Sequence, residues 1–141
     1  MIRRTALSLG VLALASTAAV ISTAAHAQTA WPTKPIRLLV PFAAGGTTDL
    51  VARTIAEPLG RELGQPVVVD YKAGAGGTVG AQDVMKAPPD GHTLMLANTG
   101  VMVINPALYS RLPYATLKDF TPIARTAMQP LALLVNPNVP A

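Results

Sequence analysis

The chain has 141 residues, of which half are hydrophobic and only 13% are charged, with a formal net charge of +4 and no cysteine. This composition argues against a disordered or fibrous segment, and the lack of cysteine excludes disulfides and cysteine-ligated metals within the chain. The basic residues are scattered and have few aromatic neighbours, so the positive charge does not indicate nucleic-acid binding.

The first 27 residues have the features of an export signal. Arg3 and Arg4 form a basic start, Ala6 to Ile21 is apolar, and Ala25-His26-Ala27 fits a signal-peptidase site. We predict cleavage after Ala27 and a mature chain, residues 28–141, that is free in the periplasm. No cysteine follows the signal that could carry a lipid anchor, and serine and threonine interrupt the apolar stretch, which argues against a membrane span.

A proline-rich leader is followed by residues that predict a strand, a glycine loop and a helix. Ile36 to Val40 is a short β-prone run, and apolar residues recur at helical spacing from Leu50 to Leu59. Between them, Gly45-Gly46 allows backbone N–H groups to face the mouth of the loop beside the positive end of the helix dipole. No basic side chain lies between Phe42 and Asp49. We therefore predict an anion site built from amides and hydroxyls, suited to a carboxylate or a phosphate.

The same order of elements then repeats. Gly60 and Gly64 are expected to end the first helix, and the β-branched run Val67 to Val69 predicts a second strand. The glycine-dense segment Gly74 to Gly80 leads into a helix predicted near Ala81 to Lys86. This repetition indicates βαβ units, and hence an α/β fold with a parallel sheet and helices on both of its faces.

A third strand is predicted from Thr93 to Ala97, with Asn98 and Thr99 after it in a position to cap a short helix. Phe120 to Met128 and Leu131 to Val135 are further strand candidates. The asparagine- and proline-rich end has the composition of a linker, so we expect a fragment of a longer protein.

Three predicted loops follow strands, at residues 42–47, 72–80 and 98–100. Because loops at the carboxyl ends of parallel strands emerge at one edge of a sheet, we expect these three to converge on one cleft.

The glycine segments do not match the known nucleotide-binding motifs well. Gly74, Gly77 and Gly80 follow a strand, but Val79 stands where a dinucleotide fingerprint needs glycine or alanine, and no acidic residue ends the next strand. No P-loop motif occurs.

Catalytic and metal-binding readings have little support in the mature chain. Its single serine, Ser110, has no nucleophile elbow around it, and its single histidine, His92, is expected to be a solvated turn residue. One histidine without a nearby cluster of ligands gives no metal site, and we predict no cofactor.

Four other side chains have candidate roles that the sequence suggests but does not decide. Asp49 lies in the first turn of the first helix, where it can cap the helix, orient the loop or pair with an amino or hydroxyl group of a ligand. Asp70 and Lys72 can form an ion pair at the end of the second strand. Phe42 belongs either to the core or to the apolar wall of the cleft.

Several blocks in order along the mature chain resemble the Bug-type substrate-binding proteins of tripartite tricarboxylate transporters. The blocks are Pro41-Phe42-Ala43-Ala44-Gly45-Gly46-Thr47-Thr48-Asp49 with Ala52-Arg53, then Val68 to Gly80, Pro89-Asp90-Gly91-His92-Thr93-Leu94, Asn105-Pro106-Ala107-Leu108-Tyr109 and Leu112-Pro113-Tyr114.

The resemblance implies a two-lobed periplasmic receptor of the Venus-flytrap type, without catalysis, that closes on a small organic acid and delivers it to a membrane permease. The acid would be a dicarboxylate or tricarboxylate, an acidic amino acid or an aromatic acid, and the receptor a monomer. Carried over by position, the ligand-binding residues are Phe42, Ala43, Ala44, Gly45, Gly46, Thr47 and Asp49, followed by Gly77, Thr78, Val79, Gly80, Asn98 and Thr99.

Two departures from the family pattern bear on loop shape and ligand preference. Tyr71 stands where asparagine is usual, and Ala43-Ala44 replaces a loop that commonly contains proline. Family members are also longer, and the rest of such a protein would supply the facing lobe. An exported α/β enzyme with catalytic residues beyond Ala141 stays as the alternative.

Overall fold

The structure is a computed structural model that describes residues 31–130 and 132–139. The chain divides into two units, Met1–Trp31 and Pro32–Ala141, and the fold described here is that of the second. The predicted signal peptide and its cleavage site lie outside the described residues.

The described residues form a short parallel sheet with helices between its strands. The strands are β1 (Ile36–Val40), β2 (Val67–Tyr71) and β3 (Thr93–Met95), and the α-helices are α1 (Thr47–Leu63), α2 (Thr78–Met85), α3 (Asn105–Leu108) and α4 (Thr116–Asp119). A 3₁₀ turn, Ala75–Gly77, precedes α2, and a π-helical turn, Gly100–Ile104, precedes α3.

β1 is the central strand, because β2 and β3 pair with it on either side and both run parallel to it. Val40 lies opposite Tyr71, and the Lys72 N–H donates to the Val40 carbonyl (3.0 Å), so the β1–β2 ladder reaches the start of the loop. The predicted α/β architecture with a parallel sheet is therefore confirmed.

The two faces of β1 are covered by different helices, as the alternation of side chains along a strand requires. Leu38 and Val40 pack with Ala52 of α1 in one apolar cluster. Leu39, on the opposite face, reaches the start of α2 at Gly80. Phe42 packs against both this cluster and a second one around Ala81 of α2, so the residue after β1 joins the two sides of the core.

Ion pairs attach α2 to the sheet. The Arg37 guanidinium contacts the carboxylates of Asp70 (2.5 Å) and Asp83 (2.7 Å), and Lys72 Nζ lies 2.7 Å from the other Asp83 oxygen. Lys72 and Arg37 together lower the pKa of Asp83. The predicted pair between Asp70 and Lys72 is wrong, since each of these side chains is engaged by a partner on a different element.

α1 ends at Leu63, with Gly64 in the left-handed conformation (φ 68°) that a helix C-terminus often requires. The prediction that Gly60 helps to end the helix is wrong, because α1 continues through it. A Cβ on Gly60 would lie 3.1 Å from the Gln65 carbonyl oxygen and 3.4 Å from the Val67 nitrogen. Glycine is therefore needed there for the close return of the chain towards β2.

The turn before β3 also differs from expectation. His92 was expected to be solvated, but only 7% of it is exposed. Its Nε2 accepts the Thr33 N–H (3.2 Å), and its carbonyl accepts the Arg37 N–H (2.8 Å). The residue therefore holds the leader and the turn against β1.

Neither additional strand candidate forms a strand. Residues 120–130 and 132–135 have no strand pairing in the structure, Leu131 lies outside the described residues, and the described side chains there are mostly exposed. Both segments have residues typical of strands, but a strand forms only when a neighbouring backbone pairs with its N–H and C=O groups. The short helix α4 lies directly before the first of these two segments.

Gly80 provides a test of the packing between α2 and the end of β1. Within a helix, replacing glycine by alanine ordinarily stabilises the fold, but a Cβ here would lie 2.7 Å from Pro41 Cβ and 2.9 Å from Pro41 Cα. We expect Gly80→Ala to lower the free energy of unfolding by about 1 to 3 kcal/mol, measured by urea denaturation. Thr54→Ala, on the exposed side of α1, is the control and should change it by less than about 0.5 kcal/mol. A stabilised Gly80→Ala would show that this contact is loose.

Candidate functional site

The loop between β1 and α1 places a row of backbone amides at a helix N-terminus. Gly45 has φ 91°, which favours glycine, and Gly46 is the extended N-cap residue. The first intrahelical bond runs from the Leu50 N–H to the Gly46 carbonyl (3.1 Å). The N–H groups of Gly46, Thr47 and Thr48 precede that bond, and no described residue accepts a hydrogen bond from them.

The buried Asp49 carboxylate holds this loop through hydrogen bonds. The residue is 6% exposed, and its Oδ2 accepts the Gly45 N–H at 2.7 Å. Its Oδ1 accepts the Tyr71 hydroxyl (2.5 Å) and Arg53 Nε (2.7 Å). Of the roles that the sequence left open for Asp49, the structure shows that it orients the loop. Its side chain, in the first helical turn, accepts a hydrogen bond from the preceding loop, as in a capping box.

The same contacts keep Asp49 ionised. The Tyr71 hydroxyl, the Gly45 N–H and the Arg53 guanidinium each stabilise the carboxylate and lower the pKa of Asp49. The hydrogen bond to Asp49 correspondingly raises the pKa of Tyr71, which therefore remains a donor. The Arg53 guanidinium also lies 5.8 Å from the centroid of the Tyr71 ring, within cation–π distance.

The second glycine loop packs directly against the first. A Cβ on Gly77 would lie 2.5 Å from Val101 Cγ2 and 3.4 Å from Phe42 Cζ. Gly77 also has φ 89°, so both its conformation and its surroundings require glycine. Gly77 and Gly80 are buried, and in this structure they allow the loops to approach each other.

One side-chain hydrogen bond orders the third loop, and another joins the helix after it to the second loop. Asn98 Oδ1 accepts the Val101 N–H (3.1 Å) at the start of the π-helical turn, whereas Thr99, the N-cap residue of that turn, makes no capping hydrogen bond through its side chain. Asn105 Nδ2 donates to the Gly76 carbonyl (3.0 Å), and Asn105 is 6% exposed. The three loops therefore meet at the carboxyl edge of the sheet, as expected from its parallel topology.

The predicted site residues fall into two groups by exposure. Buried and half-buried positions support the loops, and these are Phe42, Asp49, Gly77, Thr78 and Gly80. Exposed positions on the rim are Ala43, Ala44, Gly45, Gly46, Thr47, Val79, Asn98 and Thr99. Ligand contact by any of them stays a prediction.

Three residues of this edge were missed by the sequence analysis as members of the site. Tyr71 was noted only as a departure from the family pattern, and Arg53 and Asn105 only as parts of matching blocks. Their roles depend on pairings across 22 residues for Tyr71 and 29 for Asn105, which local sequence patterns do not encode. A polar residue directly before Pro106, with apolar neighbours, was the one available signal for Asn105.

In the part of the chain that the structure describes, no three histidine, aspartate or glutamate side chains are grouped to hold a metal ion. A groove beside α1 and β2, lined by Arg53, Glu57, Arg61 and Val69 among others, lies along the side of the sheet and not at the loop edge. No helix among residues 31–130 and 132–139 combines the length and apolarity that a membrane span requires.

Comparison with known proteins decides the family. The sequence matches the tripartite tricarboxylate transporter family receptor over residues 51–141. The chain belongs to this family. A UPF0065 protein of Bordetella bronchiseptica is 46% identical over 112 residues, which cover 79% of this chain and 33% of that protein. The chain thus spans about a third of the length of the curated relatives it matches, and the resemblance noted from the sequence is confirmed.

Solved structures of similar proteins agree with the fold. MatC from Rhodopseudomonas palustris with bound malate is 44% identical, has a TM-score of 0.66, and is matched over 68% of this chain and 33% of its own. The R. palustris protein Rpa4515 with adipate is 39% identical, with a TM-score of 0.59 over 62% of this chain and 29% of its own. The predicted assignment to the periplasmic binding protein fold is confirmed by these likenesses.

The lowered pKa of Asp49 leads to a prediction about acid stability. Because its pKa is lower in the folded than in the unfolded protein, ionised Asp49 stabilises the fold above the ordinary carboxyl pKa, and this contribution is lost as pH falls through the lowered value. We expect Asp49→Asn to destabilise the protein at neutral pH and to flatten the decline of unfolding free energy below about pH 4. Urea denaturation over a pH series measures both effects.

Glu57→Gln is the matched control for this prediction. Glu57 forms an exposed ion pair with Arg61 on the same helix (3.1 Å), and such pairs contribute little to stability. Its replacement should leave the pH profile nearly unchanged. A profile for Asp49→Asn that follows the wild type would contradict the role given to the Asp49 contacts.

Proposed function

We propose that this chain is part of an extracytoplasmic receptor that binds a small carboxylate and delivers it to the permease of a tripartite tricarboxylate-type transporter. The observation that carries the proposal is the set of amides at Gly46, Thr47 and Thr48 that open α1, of which the first two residues are exposed and the third is half-buried. Membership of the receptor family supports the transport role.

The chemistry of this rim suits a carboxylate. Amides at a helix N-terminus carry partial positive charge and donate hydrogen bonds without a full cation, so they hold an anion without a strong ion pair. The nearest guanidinium, that of Arg53, is already engaged by Asp49. Ordered waters can extend such donors to a ligand that does not reach them directly.

The ligand class is supported by the relatives. Malate and adipate, each bound or present in a similar protein, are both dicarboxylates that differ in length and substitution. The loop edge of this chain offers donors for one carboxylate group. We propose that the second group and the rest of the ligand are contacted by parts of the receptor beyond this chain, so dicarboxylates and tricarboxylates, acidic amino acids and aromatic acids all belong to the candidate class.

The proposal includes export and the absence of catalysis. Residues 1–27 would direct the chain to the periplasm and be removed after Ala27, and the receptor would act as a monomer without a cofactor. The alternative of an exported enzyme gains no support from the described residues, since His92 is buried in a structural contact and Ser110 is exposed next to Tyr109.

A substitution at Thr47 tests the amide site directly. Thr47 is the first residue of α1, a position where proline is favoured, and Gly46 before it is extended (φ −86°, ψ 175°), as a residue before proline should be. Thr47→Pro therefore removes one N–H donor while the helix is kept. We expect it to weaken carboxylate binding by about ten- to a hundredfold, because a hydrogen bond to a charged group contributes about 1.5 to 3 kcal/mol.

The matched control is Thr47→Ala, which removes the hydroxyl but keeps the amide. Its affinity, measured by calorimetry on the full-length protein, should stay within a few-fold of wild type. Equal affinities for Thr47→Pro and wild type would remove the amide site from the proposal. A thermal-shift panel of mono-, di- and tricarboxylates comes first, and no stabilisation by any of them would count against carboxylate binding itself.

A further inference from the structure

The Asp49 carboxylate has two oxygens with different tasks. Oδ2 holds the loop by accepting the Gly45 N–H, and Oδ1 accepts donors from Arg53 and Tyr71. Because both oxygens belong to one rigid group, whatever fixes Oδ1 also fixes the position of Oδ2. The position of the Gly45 amide, and with it the turn that leads into α1, therefore depends on the donors at Oδ1.

Only one of the three donors reaches Asp49 from a distant part of the chain. Gly45 and Arg53 are each four residues from Asp49, so they move with the loop and the helix, whereas Tyr71 is 22 residues away. Tyr71 ends β2, where it pairs with Val40, and the next residue is held by the Val40 carbonyl. The hydrogen bond from the Tyr71 hydroxyl thus fixes the position of the loop relative to the sheet.

We propose that Tyr71 is a positioning residue for the carboxylate site, which through Asp49 fixes the β1–α1 loop in the shape that binds the ligand. This inference rests on the proposed function and names a residue that determines how well the site binds. Tyr71 itself does not contact the ligand. Its hydroxyl sets the orientation of the Asp49 carboxylate, and the carboxylate sets the turn at Gly45.

An electrostatic effect acts in the same direction. The Asp49 charge lies within the first turn of α1, close to the amides proposed to hold an anionic ligand, and like charges repel. The Tyr71 hydroxyl and the Arg53 guanidinium, which lies over the Tyr71 ring, partly neutralise that charge. Loss of the hydroxyl would leave the carboxylate less neutralised and held only by the donors of its own loop and helix.

The test is Tyr71→Phe in the full-length protein, with malate and adipate as the probe ligands. The substitution removes a hydrogen bond to the charged Asp49, which in turn holds the loop that binds the ligand. We expect it to weaken binding about three- to tenfold. Tyr109→Phe is the control, since Tyr109 is half exposed, lies outside the loop contacts and should leave affinity unchanged.

Hydrogen exchange separates positioning from general stability. In Tyr71→Phe, exchange of the Gly45 amide should accelerate about tenfold or more relative to that of Leu39 in the centre of β1, because the loop opens while the sheet stays folded. Equal acceleration at both amides would mean that Tyr71 acts only through global stability, and would overturn the inference.

A double-mutant cycle provides the second readout and a second variant. If Tyr71 acts through Asp49, then Tyr71→Phe should change affinity by less than about twofold in an Asp49→Asn background. An undiminished effect in that background would overturn the inference, as would wild-type affinity in Tyr71→Phe. If the wild type binds no carboxylate, the proposed function fails, and Gly45 exchange still decides whether Tyr71 positions the loop.

Discussion

The carboxylate of Asp49 is the interaction on which the loop edge depends. It joins a glycine amide of the loop, an arginine of the same helix and a tyrosine at the end of the neighbouring strand. A buried carboxylate with several donors is rigid, because turning it would leave a charge without partners at a considerable free-energy cost. The geometry at the start of α1 is therefore determined by a buried residue that holds the exposed Gly45.

Glycines at points of close approach are the second constraint. Gly77 and Gly80 bring the start of α2 against Pro41 and Phe42, and Gly60 lets the chain return from α1 to β2. These residues were noticed in the sequence as loop formers or helix breakers. In the structure they allow close packing, because a glycine leaves free the space that a methyl group would fill.

The sequence predicted the features that depend on local pattern. The strand Ile36–Val40, the loop after it, the parallel sheet and the family resemblance all follow from short runs of residues. It did not predict the features that depend on which distant residues meet. The burial of His92, the partners of Asp70 and the role of Tyr71 are of this kind, and residues 120–128 show that an apolar β-prone run without a pairing partner forms no strand.

The two helices are attached to the sheet by different physics. α1 packs through apolar side chains around Leu38 and Val40, whereas α2 adds an ionic contact in which Arg37 and Lys72 share Asp83 at the partly exposed border of the sheet. Salt screens the attraction between such charges but has little effect on the packing of buried apolar side chains. Raising the ionic strength should therefore loosen α2 before α1, so the two loops that lead into these helices differ in their sensitivity to salt.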